Sequence, residues 1–266
     1  MARVSDFTDD QVYHPTVRKL SLADLEDALL KGIDDFKAKP SFGVFIVLIY
    51  PLVTLAAFLV VFNYDLLPLV FPAVSGFLLV GPFITIGMCE MSRRRELGQD
   101  ISGLTVFDFH RAPSAQDIVL LGLLLVALFF LWLGTAMTMY GLTLGDPWQS
   151  APSDLGVGFV QRLFTTGAGW TLIIGGNALG LIFAMTALCI GSLSFPMLLD
   201  KPVSIGVAVQ TSLRVVLANP IMMAVWGLIV VATMVLGAVP FLVGLSVVIP
   251  VLGHATWHLY RKAVSA

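Results

Sequence analysis

Six stretches of the chain are apolar and almost free of charge, at 42–62, 66–91, 117–140, 170–199, 219–236 and 239–260. An α-helix needs roughly 20 apolar residues to cross about 30 Å of hydrocarbon. The pattern therefore predicts an all-α, polytopic membrane protein with six transmembrane helices. Ahead of them, from Ser21 onward, the period changes. Leu22, Leu25, Leu29, Ile33 and Phe36 recur at spacings of three and four, which marks one face of a helix. Ser21 is placed to cap it, with Asp24 at the third helical position as a weaker form of the capping box, and Pro40 ends it. Asp24, Glu26, Asp27, Asp34 and Asp35 are expected mostly off the apolar face. The helix is too short and too charged to span. Its acidic bias disfavours anionic lipid, so docking onto protein is expected. The resulting division is a cytoplasmic segment at 1–40 with this amphipathic interfacial helix, a six-helix domain at 41–262 and a tail at 263–266.

Composition agrees with lipid as the main solvent. Of 266 residues, 58% are hydrophobic and only 12% charged, against about 25% charged in soluble domains. Charge placement sets the orientation. Fourteen of the 15 Lys and Arg residues fall before the first stretch, after the second, after the fourth or after the sixth. Only Arg162 lies on the other side. The positive-inside rule then puts both ends in the cytoplasm of a bacterial inner membrane, and six crossings provide the even number this requires. A net charge of −2 offers no footprint for nucleic acid. The chain opens on polar and acidic residues, so no cleavable signal is expected. Cys89 and Cys189 fall in separate apolar stretches and predict neither a disulfide framework nor a metal site.

Within the stretches, Pro51, Pro68, Pro72 and Pro82 interrupt the first two, which a short turn at Asn63–Asp65 joins. They predict kinks, or the broken helices of a binding site. The fourth stretch is rich in small residues: Gly175, Gly176, Gly180 and Gly191, with GxxxG spacing from Gly176 to Gly180. Small residues let helices approach closely in lipid. Gly176, Asn177 and Gly180 are therefore expected to pack against another helix or a partner, with the Asn177 amide bonding across. The loops beginning near Asp100 and Pro202 each carry an early Ser and an Arg about ten residues later, Arg111 and Arg214. They hint at a parallel repeat, both loops forming short interfacial helices. The outer loop holds Asp146–Pro147–Trp148 and a second interfacial helix around Phe159–Phe164, with Trp148 and Trp170 at the aromatic belt.

Candidate chemistry is sparse. His254 and His258 lie four apart on one helix face and form the only pair spaced for a ligand, but Trp257, Tyr260, Arg261 and Lys262 beside them are ordinary for a membrane boundary. His14 and His110 stand elsewhere. Glu90 precedes Arg93, Arg94 and Arg95. That run reads as internal ion pairing, or as planar donors for a lipid phosphate. Asp200 and Lys201 admit the same two readings. No charge sits near the centre of a stretch, which disfavours ion-coupled transport. No phosphate loop, nucleophile elbow or carboxylate pair is present, so no catalytic residues, cofactor or metal are expected.

Several strings resemble an uncharacterised proteobacterial family of integral membrane proteins: ALLKGIDDF at Ala28–Phe36 with Pro40, CEMSRRRE at Cys89–Glu96, and SFPMLLD at Ser194–Asp200. Ser212–Leu213–Arg214, Asn219–Pro220 and PVLGHATWHLYR at Pro250–Arg261 extend the likeness. Before Ser–Arg–Arg the family usually has Tyr–Glu or a similar pair, where this chain has Cys89–Glu90 and then Met91. The family is a domain of unknown function, some of whose members carry a label likening them to the catalytic subunit of cytochrome c oxidase. Four histidines in the whole chain are too few for a haem–copper centre, so the likeness implies at most a respiratory setting. The expected role is a non-catalytic accessory, assembly or stabilising component of a larger membrane complex, with membrane lipids and integral membrane proteins as partners. A small-solute or lipid transporter is the alternative, and would need a polar cavity around Asn177. A lipid-modifying enzyme would need Glu90, Arg93, Arg94 and His110 in one pocket.

Overall fold

The computed structural model describes residues 15–40, 67–101, 105–145, 157–239 and 244–265. The first expected span at 42–62, the turn at Asn63–Asp65, Asp146–Pro147–Trp148 and His14 lie outside the described residues.

Helix α1 (Leu22–Ala38) starts at the expected cap. Ser21 Oγ accepts from the Asp24 amide while the Asp24 carboxylate accepts from the Ser21 amide. The expected second span is a helix pair, α2 (Leu67–Ile84) and α3 (Ile86–Glu96), that together run apolar over Val70–Glu96. The break falls at Thr85, three residues after Pro82, where the Met88 amide bonds to the Thr85 carbonyl in a tighter three-residue step. A 3-10 helix at Thr105–Arg111 leads into α4 (Ala115–Leu144). Helix α5 (Val157–Thr165) covers the short helix expected in the outer loop. Then α6 (Gly167–Gly191) and α7 (Ser194–Asp200) form the next apolar run, Gly167–Asp200, again broken near its end. Helix α8 (Ile205–Ala218) is the second loop helix, and α9 (Pro220–Ala238) starts with Pro at its first position. Helix α10 (Leu245–Ala263) closes the chain.

Among the described residues, four helical runs are long and apolar enough to cross a membrane: Val70–Glu96, Ala115–Leu144, Gly167–Asp200 and Pro220–Ala238. Helix α10, expected as the sixth span, is not one of them. Its second half carries His254, Thr256, His258, Arg261 and Lys262, and it is largely buried against protein.

The core gathers at one end of the bundle. Phe195, Leu198, Leu199, Trp226, Trp257 and Tyr260 are fully enclosed there with Leu25 and Ala28 of α1. Towards the middle of the apolar runs, side chains such as Phe130, Leu131, Leu181 and Ile182 are exposed, as lipid-facing positions are. At the same end, strand β1 (Thr16–Val17) pairs antiparallel with β2 (Val264–Ser265), so residues near the two chain ends lie side by side.

Helix α1 departs from its expected register. The buried positions are Leu25, Ala28, Gly32 and Asp35, whereas Leu22 and Ile33 are exposed. The reason is close packing on α10. A Cβ on Gly32 would stand 2.7 Å from the Ala255 amide nitrogen and 2.8 Å from the Val251 carbonyl oxygen. Backbones approach this closely only where the side chains are small, so the small-residue face outcompetes the leucine face. It carries Asp35 into the interior with it.

Candidate functional site: a buried polar node

The node forms where α1, α3 and α10 meet. Ser92 Oγ donates to Asp35 Oδ2 at 2.5 Å, and His258 Nε2 donates to the same oxygen at 2.8 Å. Arg95 Nη1 donates to Asp35 Oδ1 at 2.5 Å, and its Nη2 to Asp34 Oδ2 at 2.9 Å. Ser92 Oγ also lies 2.8 Å from His254 Nδ1. A hydroxyl has one proton, and Asp35 takes it. His254 therefore carries its proton on Nδ1 and donates to Ser92. The helical spacing predicted that the two histidines share a face; what they face is Ser92 and Asp35. Among the described residues, no group of three His, Cys, Asp or Glu side chains is arranged to hold one.

Asp35, Ser92 and His254 are nearly sealed from solvent, but Asp35, Ser92 and His258 border an open cleft of about 440 Å³ whose rim includes Glu96, Arg261 and Lys262. Burial by itself would raise the Asp35 carboxyl. The donors from His258, Ser92 and Arg95, with the His258 charge, outweigh it and hold the group at about 2, below the ordinary 3.8. At the far end of α1, Lys262 Nζ reaches Asp24 and Asp27 at 3.2 and 2.9 Å and helps keep both acids below their usual range. The Asp24 shift to about 2 owes most to its hydrogen bonds from Ser21.

The arginine run is spent on protein carboxylates. Glu90, buried, takes Arg93 through Nε and Nη2 at 2.7 and 2.9 Å, and Arg94 Nε at 2.7 Å. Arg94 Nη2 continues to Asp108 Oδ2 at 2.8 Å. His110 does not join them: its Nδ1 lies 2.6 Å from the carbonyl oxygen of Phe107, and the residue is exposed. Asp200 accepts from the Tyr260 hydroxyl at 3.0 Å, with Arg261 and Lys201 near by. Cys89 is buried with Sγ 3.4 Å from the Gly253 carbonyl oxygen, and Cys189 is half-buried; both are free thiols.

The small-residue helix divides. At Gly180 an added Cβ would press on the Trp132 indole at 3.2 Å, so this glycine packs against α4. At Gly176 it would meet nothing within 4 Å among the described residues. Asn177 does not bond across to another helix; its Nδ2 donates to Ile173 O of its own helix at 2.7 Å. All three line an open groove of about 270 Å³ with Phe71, Gly76 and Trp132.

Residues 70–200 match the model of a family described as a predicted integral membrane protein, DUF2189. Over those residues the chain is similar to this family. The family's function is unknown, and the match covers α3 with its Glu90, Ser92 and arginines. Asp35, His254 and His258, which complete the node, lie outside the matched stretch. No curated protein and no solved structure matches the chain.

Sequence reasoning missed Asp35 and Ser92. The signal for Asp35 was there: it falls three residues after Gly32 and seven after Ala28, on the small-residue face. Ser92 sits between Glu90 and Arg93, where its neighbours drew the attention.

Proposed function

We propose that this membrane protein is a non-catalytic component of a larger assembly in the bacterial inner membrane, an accessory, assembly or stabilising subunit with a respiratory complex as its setting. The observation that carries this reading is the open face of α6. Among the described residues, Gly176 has no neighbour within 4 Å of where a side chain would begin, in an apolar groove with GxxxG spacing. In lipid such a face serves helix–helix packing. The polar node supports the same reading from the other side. Its groups satisfy one another, and Ser92 and His254 are nearly inaccessible, as in a clamp that holds α1 to α10.

The topology proposed with it is six spans, with 42–62 first and α10 last, and both ends in the cytoplasm. The pairing of Thr16–Val17 with Val264–Ser265 supports an even number of crossings, because chain segments hydrogen-bonded to each other share a side. The charge asymmetry selects which side.

The test is Gly176→Leu. No atom of the described residues obstructs the new side chain at its root, so fold and expression are expected to hold, while recovery of co-purifying membrane protein after mild detergent extraction falls several-fold. Unchanged recovery would contradict the reading. The same groove, with the Asn177 side chain on its wall, favours a transporter as second choice. Solute uptake into liposomes holding the purified protein alone would support that instead.

A further inference from the structure

The cations at the clamped end divide into two sets. Arg93, Arg94, Arg95, Arg261 and Lys262 each meet a carboxylate. Among the described residues, no ion pair engages Arg18, Lys19 or Arg214. The Lys19 side chain and the Arg18 backbone meet the junction of α8 and α9, and Arg214 lies on α8 just before it. Lys19 Nζ donates to Ala218 O at 2.5 Å, and the Arg18 carbonyl oxygen accepts from Asn219 Nδ2 at 3.0 Å. The Leu20 amide donates to Asn219 Oδ1 at 2.8 Å, so the strap is held at three points. Arg214 lies four residues before Ala218, one turn along the same face of α8. Around them the surface is apolar: Leu213, Leu217 and Ile221 are exposed, the last two at 69% and 71%. Pro220 opens one of the membrane-crossing helices. The patch therefore stands where hydrocarbon gives way to headgroups.

We infer that this corner binds the headgroup of an anionic phospholipid. The phosphodiester is held by Arg18, Lys19 and Arg214, and the acyl chains lie along Leu213, Leu217 and Ile221. The chemistry suits each part. A guanidinium offers planar paired donors to phosphate oxygens. Lys19 keeps two protons after its bond to Ala218. Among the described residues, no carboxylate pairs with these three cations, whereas the Arg93–Arg95 run is already neutralised by Glu90, Asp108, Asp34 and Asp35. Lipid contact is thus assigned to a different set of cations from the one the sequence singled out.

The experiment is native mass spectrometry of the full chain in mild detergent, with phosphatidylglycerol and phosphatidylcholine added in equal amounts. The wild-type chain is expected to retain phosphatidylglycerol preferentially. Combined Arg18→Gln, Lys19→Gln and Arg214→Gln should lower that preference about 10-fold, while Lys37→Gln, Lys39→Gln and Arg111→Gln together should leave it intact. If the triple variant loses its helical circular dichroism, Arg214→Gln alone is read, with about a 3-fold loss expected. Three results would each overturn the inference: no phosphatidylglycerol preference in the wild-type chain, an unchanged preference in the folded variant, or full displacement of the lipid by millimolar inorganic phosphate.

Discussion

Asp35 takes donors from His258, Ser92 and Arg95 in a position that water barely reaches, and that combination makes it sensitive to acid. Its carboxyl titrates at about 2 in the folded protein against an ordinary 3.8. The contribution is therefore complete above about pH 4 and disappears as the pH falls toward 2. Linkage puts it at about 2 kcal/mol. Melting temperature in detergent, followed from pH 5 to pH 2, should fall over this window for the wild-type chain, and Asp35→Asn should make that fall smaller, Asp24 and Asp27 supplying the remainder. Asp35→Ala at neutral pH is expected to cost about 2–4 kcal/mol, because it leaves the Ser92 and His258 donors without their acceptor, while Arg95 keeps Asp34. A loss under 1 kcal/mol in the same melts would show that the node is not a clamp. At this scale the sequence was legible only in part. The spacing of His254 and His258 fixed their shared face, but their partners come from helices more than 150 residues away, and no local period reports such a meeting.

Helix α1 illustrates what periodicity can and cannot decide. Its cap was readable because Ser21 and Asp24 satisfy amides three residues apart. Its buried face was not, since a leucine stripe and a small-residue stripe compete on one helix. In water the larger side chains usually win the interior; here the approach of α10 favours Gly32 and Ala28. The consequence can be measured. Gly32→Val would force a side chain against the backbone at Ala255 and Val251, an overpacking cost of about 1–3 kcal/mol. Amide hydrogen exchange should then rise across α1 and leave α4 unchanged; exchange equal to wild type in α1 would contradict this packing. Helix α10 repeats the lesson. Its apolar first half reads as a span, and its burial against α1, α3 and the core at the clamped end comes from neighbours that no local period reports.

For the whole molecule, long apolar runs carried most of the prediction. Four of the expected spans appear with ends shifted by a few residues, since an uninterrupted run of hydrocarbon side chains has few other homes. Assembly is different, because a groove on a helix surface depends on which neighbours are missing, and sequence does not show that. The Gly176–Gly180 spacing marked the right helix, yet one glycine packs on Trp132 inside the protein and the other faces outward. The central claim is that this outward face receives another membrane protein. The most direct test places a photo-crosslinking amino acid at position 176 in the native membrane, with position 130, an exposed site on α4, as the control. The account predicts one adduct of discrete mass that contains a second polypeptide, formed at 176 and not at 130. Lipid adducts alone at both positions would contradict it.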